Sequence, residues 1–356
     1  MYIPIRKKKK NLKNDEVLFD FGLGILRPIL AFCVIISHCY NPQYAIGKWK
    51  FFHGRTENLY FHVPIFFIMA FYFSHKTFVS SDLKKKFERI QRLIIPYALW
   101  PTIFYFLNNN LLKKYRIVNN IIPFELLKTQ LLFGVGIDFM VILWSQWNLI
   151  IITNVYFLII IIFGKNTNIF LIFIGITSFI YQYNGKNKLF FSKYKGAKNY
   201  DFGRLLEMIP YSVFGFLAAS SEIMKFLKKY KIKVFLSCIY AIYFILNYNI
   251  FVNFAGHGYH GMERFFLSIF IFIAFGMFPS EKIKNKIIIK FIKLITNYSA
   301  AIFYLHRAIY KYMEPYIILI QKRTMKGCII IYLICYFIGF IGSFIFGKTK
   351  LRHLFQ

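Results

Sequence analysis

Residues 20–40 read Asp-Phe-Gly-Leu-Gly-Ile-Leu-Arg-Pro-Ile-Leu-Ala-Phe-Cys-Val-Ile-Ile-Ser-His-Cys-Tyr. The run is apolar and long enough to cross a bilayer as a helix, which takes about 20 residues. Two ionisable side chains interrupt it, Arg27 and His38. At about 100° per residue, their separation puts both on nearly one helix face, roughly 16 Å apart along the axis. A cation inside a span costs about 2.5–3.5 kcal/mol on insertion scales, so it usually faces a polar cavity or a ligand. Two such residues on one stripe, at different depths, read as the wall of a site.

Composition supports a membrane setting. The chain has 356 residues, 58% hydrophobic and 21% aromatic, and only 17% are charged. A soluble protein carries about a quarter charged residues. The formal charge of +32 would point to nucleic acid in a soluble chain. Here the lysines and arginines sit in short clusters between apolar runs, with no nucleic-acid motif. Anionic headgroups and the positive-inside bias account for them. The five cysteines (Cys33, Cys39, Cys238, Cys328 and Cys335) lie mainly in apolar runs without Cys-x-x-Cys spacing. They predict neither a disulfide framework nor a zinc site. No His/Asp/Glu cluster has metal-ligand spacing, and no metal is expected.

The pattern predicts an all-α, polytopic transmembrane helical bundle of about ten spans. Residues 1–16 form a basic cytoplasmic tail, expected to be disordered, 17–347 the transmembrane domain, and 348–356 a short basic C-terminal tail. Spans fall near 20–40 and 60–79, then in a stretch ending at Phe106, then near 141–163, 168–182 and 204–220. The last four lie near 234–253, 265–279, 295–320 and 328–347. The segments 80–92, 225–233 and 282–293 read as basic loops, and 108–140 as polar with short apolar pieces along the interface. With both termini cytoplasmic, the inside segments carry more Lys and Arg than the outside ones, the expected bias.

An Arg followed by ten residues and a His resembles the first span of the acyltransferase-3 family of integral membrane O-acyltransferases, and Arg27 and His38 fit it. Arg89-Ile-Gln-Arg92 resembles the family's Arg-x-x-Arg at the start of the third span. Trp144 to Leu149 and Phe303-Tyr304-Leu305-His306 are similar to its Trp-bearing fourth span and late Tyr-Leu-x-His stretch. One departure stands out: Ala70-Phe71 occupy the place of a Ser-Gly that ends an aromatic run. That removes a small, close-packing step from the second span.

The resemblance implies transfer of an acyl group, most plausibly acetyl, from acyl-coenzyme A to a hydroxyl of a carbohydrate or glycolipid. Acyl-coenzyme A is then a co-substrate, with no permanently bound cofactor. His38 becomes the general base, suited by an imidazole pKa near working pH. Arg27 handles the donor, and Arg89 and Arg92 bind its phosphates at the cytoplasmic mouth. His306 is a possible additional site residue. The expected location is a bacterial plasma membrane, although no targeting signal separates that from a eukaryotic internal membrane.

Each residue also has a plainer reading. His38 serves as a helix-end residue bonded to backbone, Arg27 as a snorkelling cation, Arg89 and Arg92 as positive-inside charge, and His306 as a structural hydrogen-bonder. His53, His62, His257 and His260 fall in or near loops. The rival function is a transporter or flippase for an anionic or glycolipid substrate, without covalent chemistry.

Overall fold

The computed structural model describes residues 9–40, 61–113, 121–134, 143–183, 202–220, 222–248, 262–279 and 285–347, with a few isolated positions besides. The loop with His53, most of the loops at 183–203 and 254–264 (with His257 and His260), and most of the C-terminal tail lie outside them.

The helices are α1 Lys9–Cys39, α2 His62–Phe78, α3 Leu83–Phe106 (prolonged by a π-helical Leu107–Leu112), α4 Phe124–Phe133 and α5 Trp144–Phe163. Then follow α6 Thr167–Tyr183, α7 Phe202–Ser220, α8 Glu222–Lys229, α9 Lys231–Tyr248 and α10 Met262–Gly276. The last are α11 Lys286–Asn297, α12 Ser299–Met313, α13 Ile318–Gln321 and α14 Met325–Phe346. Among the described residues every regular element is helical. Local chemistry starts several of them. Asp82 accepts from the Lys84 and Lys85 amides at the head of α3, and Asn285 does the same for Ile287 and Ile288 at α11. Thr324 accepts from the Gly327 amide at α14. Such side chains satisfy amides that a first helical turn leaves unpaired.

Two apolar clusters make the interior, and α1 belongs to both. Leu23, Leu26 and Leu30 join the cluster built on α2, α5, α7 and α10. One turn on, Ala31, Ile35 and Cys39 join the cluster built on α3, α4, α12 and α14. The helix carrying Arg27 and His38 is therefore the seam of the bundle. Within the second cluster, α4 is folded back on α3, where the Tyr97 hydroxyl meets the carbonyls of Gln130 at 2.6 Å and Leu131 at 3.0 Å. The segment expected along the interface thus buries Leu127 and Gln130 against the bundle.

The Ala70-Phe71 departure is resolved by its partner helix. Phe71 is fully buried, its ring 4.6 Å from Tyr156 and 5.4 Å from Phe78. The small residue that lets α2 and α7 close up is Gly215, where a Cβ would lie 2.2 Å from the Ile68 carbonyl oxygen. Small residues at helix crossings are how membrane helices gain close packing.

The span count differs from the ten expected. Among the described residues, three stretches are long and apolar enough to cross a membrane: Phe21–Cys39, Trp144–Tyr181 and Met325–Phe346. Two bent pairs, α8 with α9 at 99° and α11 with α12 at 49°, raise the number to five at most. The reason is local. At 17 and 15 residues, α2 and α10 fall short, and the first turns of α3 hold Lys84 to Lys86, Glu88, Arg89 and Arg92. The boundaries also shift. The regular helix begins at Lys9, within the stretch expected as a disordered tail. The expected basic loops at 225–233 and 282–293 are largely helical, as α8, the start of α9 and α11. Span nine is two helices broken at Tyr298.

Gly215→Ala is expected to overpack the α2–α7 crossing and destabilise the protein by about 1–3 kcal/mol, the usual cost of an added methyl in a filled contact. A thermal melt in detergent should show the fall in Tm; an unchanged Tm contradicts the close approach.

Candidate active site

A cavity of about 750 Å³ lies against the seam helix. Its polar wall is assembled from five places in the sequence: Arg27 of α1, Arg89 and Arg92 of α3, Gln146 of α5, Lys293 of α11 and Tyr304 of α12. Its apolar wall is mainly α2, with Phe66, Phe67 and Phe73. The volume is within the range of sites for small organic ligands, roughly 300–1,000 Å³. Among the described residues that line it, four are cationic and none is Asp or Glu.

The local fold explains why these side chains converge. Arg89 and Arg92 are three apart near the head of α3 and so share a face. Gln146 donates to the Leu93 carbonyl at 3.1 Å, pinning the start of α5 beside them. On the other side, the Thr296 hydroxyl donates to the Gly24 carbonyl at 2.7 Å, tying α11 to α1 within a turn of Arg27.

The two arginines of α3 are not equivalent. Arg92 is half exposed and lies 4.0 Å from Glu88, a weak surface pair. Arg89 is turned inward, and its Nε and Nη2 are buried with no hydrogen-bond partner. Tyr304 is buried within electrostatic reach of both Arg27 and Arg89. A phenol accepts hydrogen bonds but leaves the cationic charge in place. The cavity thus presents permanent positive charge and waits for negative charge.

His38 does not line this cavity, and neither does His306. The expectation that Arg27 and His38 share one wall holds for the helix face but not for the cavity, which stops at the arginine end. At the other end the two histidines are brought together. Their rings stack with centroids 5.4 Å apart and planes 28° from parallel. His38 is exposed, whereas His306 is fully buried. The Nδ1 of His306 lies 2.9 Å from the Phe303 carbonyl oxygen and 3.1 Å from that of Ile302. Carbonyls only accept, so Nδ1 carries a proton. The Nε2 is buried with no hydrogen-bond partner. Helix α12 joins the two regions: Phe303 and Tyr304 face the cavity, and His306 faces His38.

Three neighbours had no assigned role in the sequence. Lys293 was counted with a basic loop, and Tyr304 is one of 26 tyrosines. His62, read as a loop residue, is buried at the head of α2 and within electrostatic range of His38, as is Arg307. Among the described residues no group of three His, Cys, Asp or Glu side chains is placed to hold a metal ion. All five cysteines are free thiols, and Cys39, Cys238, Cys328 and Cys335 are buried.

An apolar helical bundle with a cationic internal cavity and a stacked pair of imidazoles defines an integral membrane protein. The chain belongs to the acyltransferase-3 family: the family model, described as an acyltransferase domain, matches residues 20–348, nearly the whole chain. It is a membrane acyltransferase. No curated protein and no solved structure is matched by it.

Unpaired buried donors cost about 1–3 kcal/mol, more for a charged group. Arg89→Met is therefore expected to raise the Tm of the ligand-free protein by a few degrees while lowering its affinity for polyanions at least tenfold. A lower Tm with unchanged affinity would show that Arg89 is structural.

Proposed function

We propose that this protein transfers an acyl group, most simply acetyl, from acyl-coenzyme A to a hydroxyl of a carbohydrate or glycolipid. The observation that carries the reading is the cavity's charge: four cationic side chains and no carboxylate among the described residues that line it. Coenzyme A is a polyanion, and its phosphates supply the missing counter-charge at Arg89, Arg92 and Lys293. Arginine's planar fork suits phosphate oxygens. The pantetheine arm passes Arg27 along α1, and the thioester reaches His38, roughly 16 Å further on.

In the reaction, the acceptor oxygen attacks the thioester carbonyl as His38 takes the hydroxyl proton. The carbon–sulfur bond breaks, and the thiolate leaves with the proton returned by the imidazolium. Exposure of His38 supports this role, since the base must be open to its acceptor. His306 backs the His38 ring from the buried side.

The same reading returns to about ten crossings: α1, α2, α3, α5, α6, α7, α9, α10, α12 and α14. Short α2 and α10 are accommodated by local thinning of the bilayer. The 38-residue Trp144–Tyr181 stretch would measure about 57 Å if straight, nearly two bilayer cores. It turns at Gly164, whose φ is +49°. Both termini are then cytoplasmic, on the side where acyl-coenzyme A is made, in a bacterial plasma membrane.

Purified protein in nanodiscs should release coenzyme A thiol from acetyl-coenzyme A when a polysaccharide acceptor is present. His38→Ala should lower kcat about 10²–10⁴-fold, the usual contribution of a general base. Arg89→Gln should raise the donor KM at least tenfold, and Arg92→Gln less, because Arg92 already has Glu88 nearby. Full turnover by the His38 variant would overturn the assignment, and absence of thioester consumption in the parent would leave a transporter reading.

A further inference from the structure

Helix α8 lies outside the chemistry described so far, α11 enters it through Lys293 on the cavity wall, and the two share one construction. At 100° per residue, α11 divides into three faces. Ile289, Ile292 and Thr296 turn to the cavity. Ile287, Phe291 and Leu294 form an apolar flank roughly opposite, and all three are exposed. Lys290 and Lys293, both exposed, run along the edge between these faces, Lys293 at the cavity rim. Helix α8 repeats the plan. Met224 is buried, Ile223, Phe226 and the following Tyr230 are exposed on one flank, and Lys225, Lys228 and Lys229 occupy the third face. The axis of α8 is bent 99° from that of α9, and the two are long and apolar enough to span only as a pair, so α8 runs along the membrane plane if α9 crosses it.

We infer that α8 and α11 are interfacial helices seated on an anionic phospholipid surface, and that α11 is the wall held between that surface and the donor cavity. An amphipathic helix with a lysine face and an aromatic or aliphatic flank lies in the headgroup plane, its flank in the acyl boundary. Every described lysine on these two helices stands beside an exposed apolar flank, the arrangement that draws anionic headgroups. Water against Ile287 and Phe291 would leave large apolar side chains in contact with solvent on three-quarters or more than half of their surface (78% and 58%). Lipid contact removes that exposure. The link to the donor rests on the proposed function; the lipid contact does not.

The test uses the full chain in nanodiscs containing phosphatidylglycerol or phosphatidylcholine with a photoreactive diazirine near the headgroup. After irradiation and digestion, mass spectrometry should place adducts on the peptides covering 222–230 and 286–297, several-fold more with phosphatidylglycerol. Each of Lys225→Gln, Lys228→Gln and Lys290→Gln should lower the phosphatidylglycerol adducts on its own helix up to about fivefold, the equivalent of ~1 kcal/mol per basic residue near an anionic surface. Equal labelling by both lipids would overturn the anionic preference. No labelling, or cross-links from these helices to a second copy, would overturn the lipid contact itself. Separately, the donor KM should fall as the phosphatidylglycerol fraction rises; lipid adducts with a constant KM would sink only the link to the cavity.

Discussion

The constraint on which the structure turns is the placement of guanidinium groups inside an apolar bundle without carboxylates to neutralise them. Arg27 and Arg89 face a shared cavity, and among the described residues no acidic side chain lines it. Buried charge is tolerated only when something of opposite sign is available for part of the working cycle. The bundle is arranged around this debt. The seam helix bridges two apolar clusters, the head of α3 turns Arg89 inward, and Gln146 and Thr296 lock the neighbouring helices in position. Under the proposed function, the phosphates of the donor would compensate these four cations in a low-dielectric setting.

The second feature is the separation of charge from base. The cationic cavity and the histidine pair sit at different heights along α1, joined by α12. That arrangement suits a long substrate anchored at one end and reacted at the other. His306 contributes rigidity: with Nδ1 committed to backbone carbonyls, its ring is a fixed surface for His38.

Much of this was legible in the amino-acid chain, and the failures have physical causes. Arg27 and His38 stood out because ionisable groups are rare in an apolar run, and Arg89 and Arg92 because their spacing puts them on one face. The cavity's limit at the arginine end was not legible, since it depends on how α11 and α12 pack against α1. Tyr304 was hidden by an aromatic-rich background, and Lys293 by the density of lysines around it. The same density disguised α8 and α11 as loops. Their 3.6-residue period was present, with Ile287, Phe291 and Leu294 on one side, but a charge run dominates a reading by composition. Of the expected spans, three to five are evident among the described residues: apolar runs mark what avoids water, whereas helix ends are set by caps such as Asp82, Asn285 and Thr324.

The account's central claim is that the arginine cavity binds the phosphates of the acyl donor. Equilibrium binding of coenzyme A and of phosphate-free pantetheine to the purified protein, across a salt series, tests it most directly. Coenzyme A should bind at least a hundredfold more tightly at low salt and lose most of that advantage as salt rises. Equal, salt-independent binding of the two compounds would contradict the claim.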